Sequence, residues 1–312
     1  MLGRAADGLY WMFRYTERAE NIARLIDAAA HMALTHTDPA DDGWDSVLNS
    51  VGGHTAYCAK YEGVTGPQVI DFLLRDEDNP SSVLNAVYSA RNNARTVRTA
   101  LTRDAWESTN EFWLETSRML ARPVKASDLP ETLDAIKRHT ALIRGAFHGT
   151  MLRNEIFDFA RIGTFIERAD NTARILDVKY YVLLPAVSFV GSSLDNVQWE
   201  SILRSVSAHR SYRWVYDADI QPAKIAEYLI LSERMPRSLT FCYQKIRDSL
   251  TNLERDYGER HAAHETVGRM LANLENRMIA DIFDQGLHEF LLGFIECNNR
   301  VGNEVAEAYR FY

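Results

Sequence analysis

The sequence predicts an all-α protein made of two pseudo-symmetric, duplicated helical halves of about six helices each, packed into one compact unit. Two observations support this prediction. Apolar residues recur at three- and four-residue steps along almost the whole chain, which contains only 8 prolines and 16 glycines in 312 residues. In addition, residues 17–27 (ERAENIARLID) return 150 residues later as residues 167–177 (ERADNTARILD).

The repetition extends beyond that helix. Residues 44–54 match residues 199–209, and residues 80–83 match residues 236–239. Ordered blocks at nearly constant spacing indicate duplication of a whole unit, and this period is far longer than that of a solenoid repeat. We therefore expect a first helical repeat over residues 1–150 and a second over residues 151–312. Because no Gly/Ser/Pro-rich linker separates them in the sequence, the repeats should share an interface.

Helix-start signals place the individual elements in order. A long first helix, roughly residues 5–34, carries an apolar stripe that includes Met12, Ala19 and Ile26. Proline or a capping Asp or Ser precedes most of the later helices. The first repeat continues with predicted helices over residues 42 or 45 to 61, 67–75, 80–101, 106–121 and 127–149. Those of the second repeat cover about residues 155–184, 196–216, 222–232, 236–256, 259–280 and 281–310.

Composition narrows the range of partners. A formal net charge of −8 at pH 7 argues against a general surface for nucleic acid or anionic membranes. Cys58, Cys242 and Cys297 lie far apart without metal-type spacing, which is typical of a reducing compartment. The N-terminus shows no signal-peptide pattern, and no apolar run approaches the ~18 residues that span a bilayer. We expect a cytoplasmic protein that binds neither nucleic acid nor membrane.

The repeated helix carries a charged stripe opposite its apolar one. Glu17, Glu20, Asn21 and Arg24 fall on one helical face with Asp27 at its edge, and the second copy repeats the pattern. An exposed i,i+4 pair contributes only ~0.3–0.5 kcal/mol, too little to keep so many polar positions alike. A buried network is more demanding, because removing one partner strands a charge at ~3–5 kcal/mol. We predict a structural polar network formed by Arg18, Asn21, Arg24, Asp27, Arg168, Asn171, Arg174 and Asp177.

Two other interpretations of the stripe remain open. It could be a solvated helix face, or a site in which Glu17, Glu20, Glu167 and Asp170 act as catalytic acid-base groups or bind a metal. Carboxylate-bridged dimetal bundles use Glu-x-x-His, however, and this chain has no such motif. The neighbouring arginines would also compete for the carboxylates and repel a cation. We therefore predict no metal and no cofactor.

The two copies differ most clearly in a row of arginines. Arg91, Arg95 and Arg98 stand at i, i+4 and i+7, whereas the second copy keeps only the first of the three. Guanidinium groups present paired donors to carboxylate or phosphate oxygens. We predict a binding surface for a small anion or an acidic peptide, formed by Arg91, Arg95, Arg98, Trp106 and Asn110. The alternative is that these arginines form salt bridges with Glu107, Glu111 or Glu115 on the following helix.

Two segments resemble the bacterial alpha-E family of all-helical proteins. They are residues 2–21 (LGRAADGLYWMFRYTERAEN) and residues 91–98 (RNNARTVR), the latter followed by Trp106-Glu107 and Asn110. The resemblance covers essentially the full length. It implies a gene context of circularly permuted ATP-grasp and transglutaminase-like proteins, and therefore a role in forming, modifying or cleaving peptide or amide linkages.

These observations lead to three functional hypotheses. Because the chain has no recognisable nucleotide-binding motif, we expect a helical accessory or partner protein of an ATP-grasp-linked system, presenting an anionic ligand or partner surface. One alternative is an enzyme with a Glu/Asp/Arg acid-base or metal site at the interface of the repeats. The other is a purely structural oligomeric protein.

Overall fold

A computed structural model describes residues 3–33, 43–182, 193–217 and 220–311, and it confirms the all-α prediction. These residues form fifteen α-helices and contain no β-strand. The helices up to residue 150 are α1 (Gly3–Ala33), α2 (Trp44–Ser50), α3 (His54–Cys58), α4 (Gly66–Arg75), α5 (Val83–Thr96), α6 (Arg103–Met119) and α7 (Leu129–Thr150). Those that follow are α8 (Glu155–Val182), α9 (Ser193–Ser205), α10 (His209–Tyr216), α11 (Pro222–Ile230), α12 (Leu239–Tyr257), α13 (Ala262–Glu275), α14 (Ile279–Gln285) and α15 (Leu287–Ala308).

Helices α1 and α8 lie at the centre of the described structure. They pack against each other. Helices α5, α7 and α9 also contact α1, and helices α12 and α15 contact α8. The two backbones approach closely at Gly163, where a Cβ atom would lie 2.2 Å from the carbonyl oxygen of Tyr10. Because other helices surround this pair, both faces of α1 are buried: the apolar Ala19 and Ile26 on one and Glu17 on the other.

Local sequence signals explain where several helices begin and end. The hydroxyl groups of Ser82 and Ser238 cap α5 and α12 by accepting hydrogen bonds from backbone N–H groups three residues further on. Pro67 and Pro222 occupy the first turns of α4 and α11, where a missing N–H costs nothing. Helix α12 ends at Gly258, whose φ of 71° lies in the left-handed region that favours glycine.

Several predicted helix boundaries are wrong, so that six helices per half is too few. The helix predicted up to residue 61 is divided into α2 and α3 at Gly52, which has a φ of 67°. Its counterpart over residues 196–216 is divided into α9 and α10 near Ser207, with a φ of 55°, and the last predicted helix is divided at Gly286, with a φ of 102°. The described residues therefore form seven helices up to residue 150 and eight beyond it. The predicted helix ends at residues 34 and 184 lie outside the described residues.

One apolar core extends through helices from both parts of the chain. It includes the fully buried side chains of Met12, Phe72, Phe112, Phe159 and Tyr243. None of the described helices combines the length and apolar character that crossing a membrane requires. The duplication, and the boundary between residues 150 and 151, stay predictions.

Candidate functional site

The charged stripes of α1 and α8 face each other and exchange ion pairs. Arg168 of α8 donates to both oxygens of Glu17, with Nε–Oε1 at 2.8 Å and Nη2–Oε2 at 2.9 Å. In the opposite direction, Arg18 of α1 donates to both oxygens of Glu167, with Nε–Oε1 at 2.6 Å and Nη2–Oε2 at 3.1 Å. We call these four residues the Glu-Arg seam. Because bidentate pairs fix both distance and orientation, the seam holds α1 and α8 in one register.

Glu20, one turn beyond Glu17 in α1, binds arginines from several elements. Its Oε1 accepts hydrogen bonds from Arg24 Nη2 at 2.7 Å and from Arg237 Nη2 at 3.1 Å, and its Oε2 accepts one from Arg144. Arg237 also pairs with Glu17, with Nη1–Oε1 at 2.9 Å. Arg237, which lies immediately before the N-cap of α12, therefore joins that helix to α1.

The glutamates of this network are buried and ionised. Glu17, Glu20 and Glu167 are 1%, 0% and 6% exposed. Burial raises the pKa of each carboxyl group, but the surrounding guanidinium groups outweigh burial and the net shift is downward. In Glu167, Arg18 and Arg14 bring the pKa to about 2. Such groups keep their charge at neutral pH, which makes them poor proton donors and acceptors.

The second charged stripe resembles the first but is less completely paired. Arg174 pairs with Asp170 at an Nε–Oδ2 distance of 2.7 Å, just as Arg24 pairs with Glu20. Asn171, in contrast, is half-buried and has no hydrogen-bond partner among the residues that the structure describes. The side-chain oxygen of Asn21 on the first stripe accepts a hydrogen bond from Arg237 Nη1 at 2.8 Å.

The two aspartates at the ends of the predicted network bond elsewhere. Asp27 of α1 pairs with Lys137 of α7, with Nζ–Oδ2 at 2.8 Å. Asp177 of α8 pairs with His288 of α15. These contacts attach the ends of the central helices to α7 and α15, away from the Glu-Arg seam.

Three arginines of this network were not predicted from the sequence. Arg14 lies three residues before the repeated motif, which begins at Glu17, and pairs with Glu167, with Nε–Oε2 at 2.9 Å. Arg144 comes from α7, and no sequence signal pointed to it. Arg237 left a detectable signal, because an arginine stands there while the matching position of the first copy is Ser81.

Two cavities of the described structure are lined by residues of the Glu-Arg seam. The first, which we call the seam cavity, has a volume of about 410 Å³. Its polar lining includes Arg14, Arg18, Asn21, Ser81, Glu167, Asp170, Asn171 and Arg174. The second, which we call the α7–α8 pocket, has a volume of about 330 Å³. Its lining includes Phe13, Arg144, Phe147, His148, Arg161, Phe165 and Arg168.

The α7–α8 pocket is strongly basic. Arg161 makes no hydrogen bond or ion pair with any described residue, and its guanidinium carbon lies 5.0 Å from the ring centre of Phe165. Burial lowers the pKa of Arg161. Burial also lowers the pKa of His148, and the positive charges of Arg161, Arg153 and Arg144 lower it further. A protonated imidazole is disfavoured there because positive charge already fills the pocket.

The predicted surface on α5 and α6 is partly assembled. Arg91 Nε donates to Asn110 Oδ1 at 2.9 Å, and the guanidinium carbon of Arg98 lies 5.2 Å from the ring centre of Trp106. Arg95 is exposed and unpaired within the described part of the chain. Helix α5 ends at Thr96, however, and Arg98 lies in a 3-10 helix (Arg98–Ala100), so the three arginines do not form one continuous helical stripe.

The acidic residues of α6 do not neutralise these arginines. Glu107 pairs with Arg103 and Glu115 pairs with His139. Within the described ranges, no ion pair joins Arg91, Arg95 or Arg98 to Glu107, Glu111 or Glu115.

The described residues also include no group of three or more His, Cys, Asp or Glu side chains that could hold a metal ion.

The fold and the seam make this an all-helical protein whose two central helices are joined by buried Glu-Arg pairs. The chain belongs to the Alpha-E family, whose model matches residues 1–309 and is described as a predicted alpha-helical domain with a conserved ER motif. Glu17-Arg18 and Glu167-Arg168 are two Glu-Arg sequences of this chain, and each supplies the partner that the other needs.

The relatives of this chain are longer proteins. The uncharacterized proteins Mb2597 of Mycobacterium bovis and Rv2567 of Mycobacterium tuberculosis are each 24% identical to it over 280 residues. The match covers 82% of this chain and 30% of each relative, so the chain spans less than a third of their length. No solved structure matches the chain.

Proposed function

We propose that this chain is a helical accessory protein that binds an anionic ligand within an ATP-grasp-linked system that forms or modifies peptide or amide bonds. The α7–α8 pocket is the observation that carries the proposal. Three guanidinium groups, those of Arg144, Arg161 and Arg168, line it, and no carboxylate of a described residue does. A concave site lined by guanidinium groups favours carboxylate or phosphate ligands.

The pocket is also prepared for binding. Arg168 is held by Glu17 and Arg144 by Glu20, so both side chains are ordered before a ligand arrives. Arg161 lies against the rings of Phe157 and Phe165 and forms no ion pair with a described residue. A site whose side chains are already ordered loses less conformational entropy when a ligand binds. Glu17 and Glu20, which do not line the pocket, therefore hold two of its arginines in place.

The size and walls of the pocket indicate the kind of ligand. A volume of about 330 Å³ falls within the ~300–1,000 Å³ of small-molecule sites. The apolar walls come from Phe13, Phe147 and Phe165, which can pack against a ring or a hydrocarbon segment. We infer a small organic anion with its carboxylate or phosphate among the arginines and its apolar part against the phenylalanines.

Calorimetric titration with phenyl phosphate, benzoate and neutral benzamide tests this anion site. We expect both anions to bind and benzamide not to bind. Arg161→Gln should weaken anion binding at least tenfold, because it removes one charged donor. The exposed Arg122→Gln serves as the matched control and should bind like the wild type. Equal binding of benzamide, or unchanged affinity in Arg161→Gln, would contradict the proposal.

His148 provides a second readout of the same site. Because Arg161 is among the charges that lower its pKa, both Arg161→Gln and a bound anion should raise that pKa. Titration of the imidazole resonances by NMR measures the change. If neither raises the pKa, His148 and Arg161 do not share one electrostatic site.

The partnership with an ATP-grasp protein is a separate part of the proposal. The exposed, unpaired Arg95, with Arg98 against Trp106, offers an acidic partner a basic surface. Co-purification with an ATP-grasp protein encoded by a neighbouring gene tests this partnership. Arg95→Glu is expected to disrupt the complex, and Arg122→Glu is expected to preserve it. Failure to form a complex, or a complex unaffected by Arg95→Glu, refutes the partnership without bearing on the anion pocket.

A cytoplasmic location belongs to this proposal as well, and the free cysteines support it.

A catalytic role at the seam is a second candidate, since Glu167 and Asp170 border an open cavity. Against it stand the lowered pKa of Glu167 and the arginines that occupy both carboxylates. A purely structural protein, the third candidate, would show no Arg161-dependent binding of either anion.

A further inference from the structure

We propose that the seam cavity binds the guanidinium group of a ligand. This group occupies the position equivalent to that of the Arg237 guanidinium, which lies on the other side of the Glu-Arg seam. The inference concerns a different cavity from the proposed anion site and goes beyond that function. It begins from a comparison of the two matched segments, residues 80–83 and 236–239. Ser81 and Arg237 stand at the same position, each immediately before the serine that caps its helix.

Arg237 shows what this position does when it carries a long cationic side chain. Its guanidinium group pairs with Glu17 at 2.9 Å and Glu20 at 3.1 Å, and it donates to the side-chain oxygen of Asn21 at 2.8 Å. With 6% of its surface exposed, it is one of the most deeply buried charges in the described structure. Three acceptors one helical turn apart thus form a socket for a guanidinium group.

The same three acceptor types line the seam cavity. Glu17, Glu20 and Asn21 correspond in sequence to Glu167, Asp170 and Asn171. These three residues and Ser81 all border the cavity. Because a serine hydroxyl is too short to reach across, the position that Arg237 fills on one side is an open space on the other.

Unused acceptor capacity in the cavity supports this inference. Asp170 accepts hydrogen bonds from Arg174 alone among the described residues, whereas a carboxylate can accept about four. Asn171 has no partner in the part of the chain that the structure describes, while its counterpart Asn21 bonds to Arg237. A guanidinium group would satisfy both residues at once.

The first side shows that two carboxylates in this arrangement can accommodate four arginines. Glu17 and Glu20 contact four arginines: Arg24, Arg144, Arg168 and Arg237. Glu167 and Asp170 contact three: Arg14, Arg18 and Arg174. A ligand guanidinium would bring the second side to the ratio of four cations to two carboxylates that the first side already holds. It would also lose less hydration than Arg237, because the cavity is open to solvent.

Restoring the missing side chain is the first test. Ser81→Arg should raise the melting temperature relative to Ser127→Arg, because only the former can reach Glu167 and Asp170. Ser127 is a matched control, since it is exposed and also immediately precedes the N-cap of its helix, at Asp128. Both variants carry the same penalty for a cation near a helix N-terminus. A lower melting temperature for Ser81→Arg than for Ser127→Arg would overturn the inference.

Ligand titration is the second test. N-acetyl-arginine amide should bind the wild type, and its neutral isostere N-acetyl-citrulline amide should bind at least tenfold more weakly. Agmatine represents a free guanidino compound: tighter binding of agmatine assigns the site to a small molecule, and tighter binding of the arginine amide assigns it to a partner's side chain. Ser81→Arg should abolish binding of both cations, while Ser127→Arg should leave it unchanged.

A further variant and a competing probe complete the design. Asn171→Ala removes one acceptor outside the ion pairs and should weaken binding of the arginine amide at least fivefold. Because arginines also line the cavity, inorganic phosphate is tested as a competing ligand. If phosphate binds both the wild type and Ser81→Arg, and neither guanidinium probe binds, the inference is refuted. Arg161→Gln should not alter guanidinium binding, so failure here and failure of the α7–α8 anion site are distinguishable.

Discussion

Each buried glutamate of the seam is stable only because its arginines are present. An ionised carboxylate in a protein interior costs several kcal/mol in lost hydration, and only well-placed hydrogen bonds and opposite charges offset that cost. Glu167 receives three hydrogen bonds from Arg14 and Arg18. The repeated charged stripe carries these buried glutamates. Arg144 escaped prediction because no local pattern specifies how α7 packs against α1, and Arg237 was overlooked although its difference from Ser81 marked it.

Removing one seam charge should strongly destabilise the protein. Glu167→Gln leaves Arg14 and Arg18 without their carboxylate, so we expect a loss of ~3–5 kcal/mol in the free energy of unfolding. Urea denaturation measures it. The exposed Glu111→Gln is the control and should change the free energy by less than ~0.5 kcal/mol. A loss below ~1 kcal/mol for Glu167→Gln would show that the network contributes little.

The crossing of α1 and α8 shapes the molecule at the scale of the element. Helical periodicity predicted both helices, because each has an apolar face that repeats every three or four residues. The closeness of their crossing depends on Gly163, whose lack of a side chain brings the backbone of α8 against Tyr10. The sequence did not reveal this role, because a helical glycine matters only when a neighbouring backbone is known.

Gly163→Ala should therefore separate the two central helices. Its Cβ atom would lie 2.2 Å from the carbonyl oxygen of Tyr10, and backbone cannot move aside as a flexible side chain can. We expect a loss of at least ~2 kcal/mol in thermal or urea unfolding. Gly268→Ala provides the contrast: that helical glycine has open space around it and should gain ~0.5–1 kcal/mol. A stabilised Gly163→Ala would disprove the close crossing.

Glycine also explains two of the three helix divisions that were not predicted. Apolar periodicity continues through residues 45–61 and 281–310, and period alone predicts a single helix in each. Gly52 and Gly286 adopt positive φ angles that interrupt the helical hydrogen bonds. Periodicity reports which face is buried, whereas φ at a glycine depends on the direction in which the chain must turn.

At the scale of the whole molecule, the network links stability to pH. Glu17, Glu20 and Glu167 have lower pKa values in the folded protein than in the unfolded chain. Their contribution is therefore complete above the unfolded value near 4.5 and is lost as pH falls through the folded values. For Glu167, whose folded pKa is about 2, this contribution is on the order of 3 kcal/mol.

Stability should consequently fall steeply between about pH 5 and pH 2. The difference in free energy of unfolding between the wild type and Glu167→Gln isolates the contribution of one carboxylate. We expect this difference to be constant from pH 7 to pH 5.5 and to shrink as pH approaches 2, because protonated Glu167 then resembles glutamine. Urea denaturation across this range measures it, and a difference independent of pH would contradict a depressed pKa.

By itself, the sequence determined the helical class, the family and the charged stripes of α1 and α8. These follow from periodicity and from internal repetition, which are properties of neighbouring residues. The tertiary structure decided which arginines complete the network, where helices break, and that two cavities of different charge adjoin the seam. Those features depend on side chains that are distant in sequence and meet only when α1 and α8 pack together, so no local pattern could specify them.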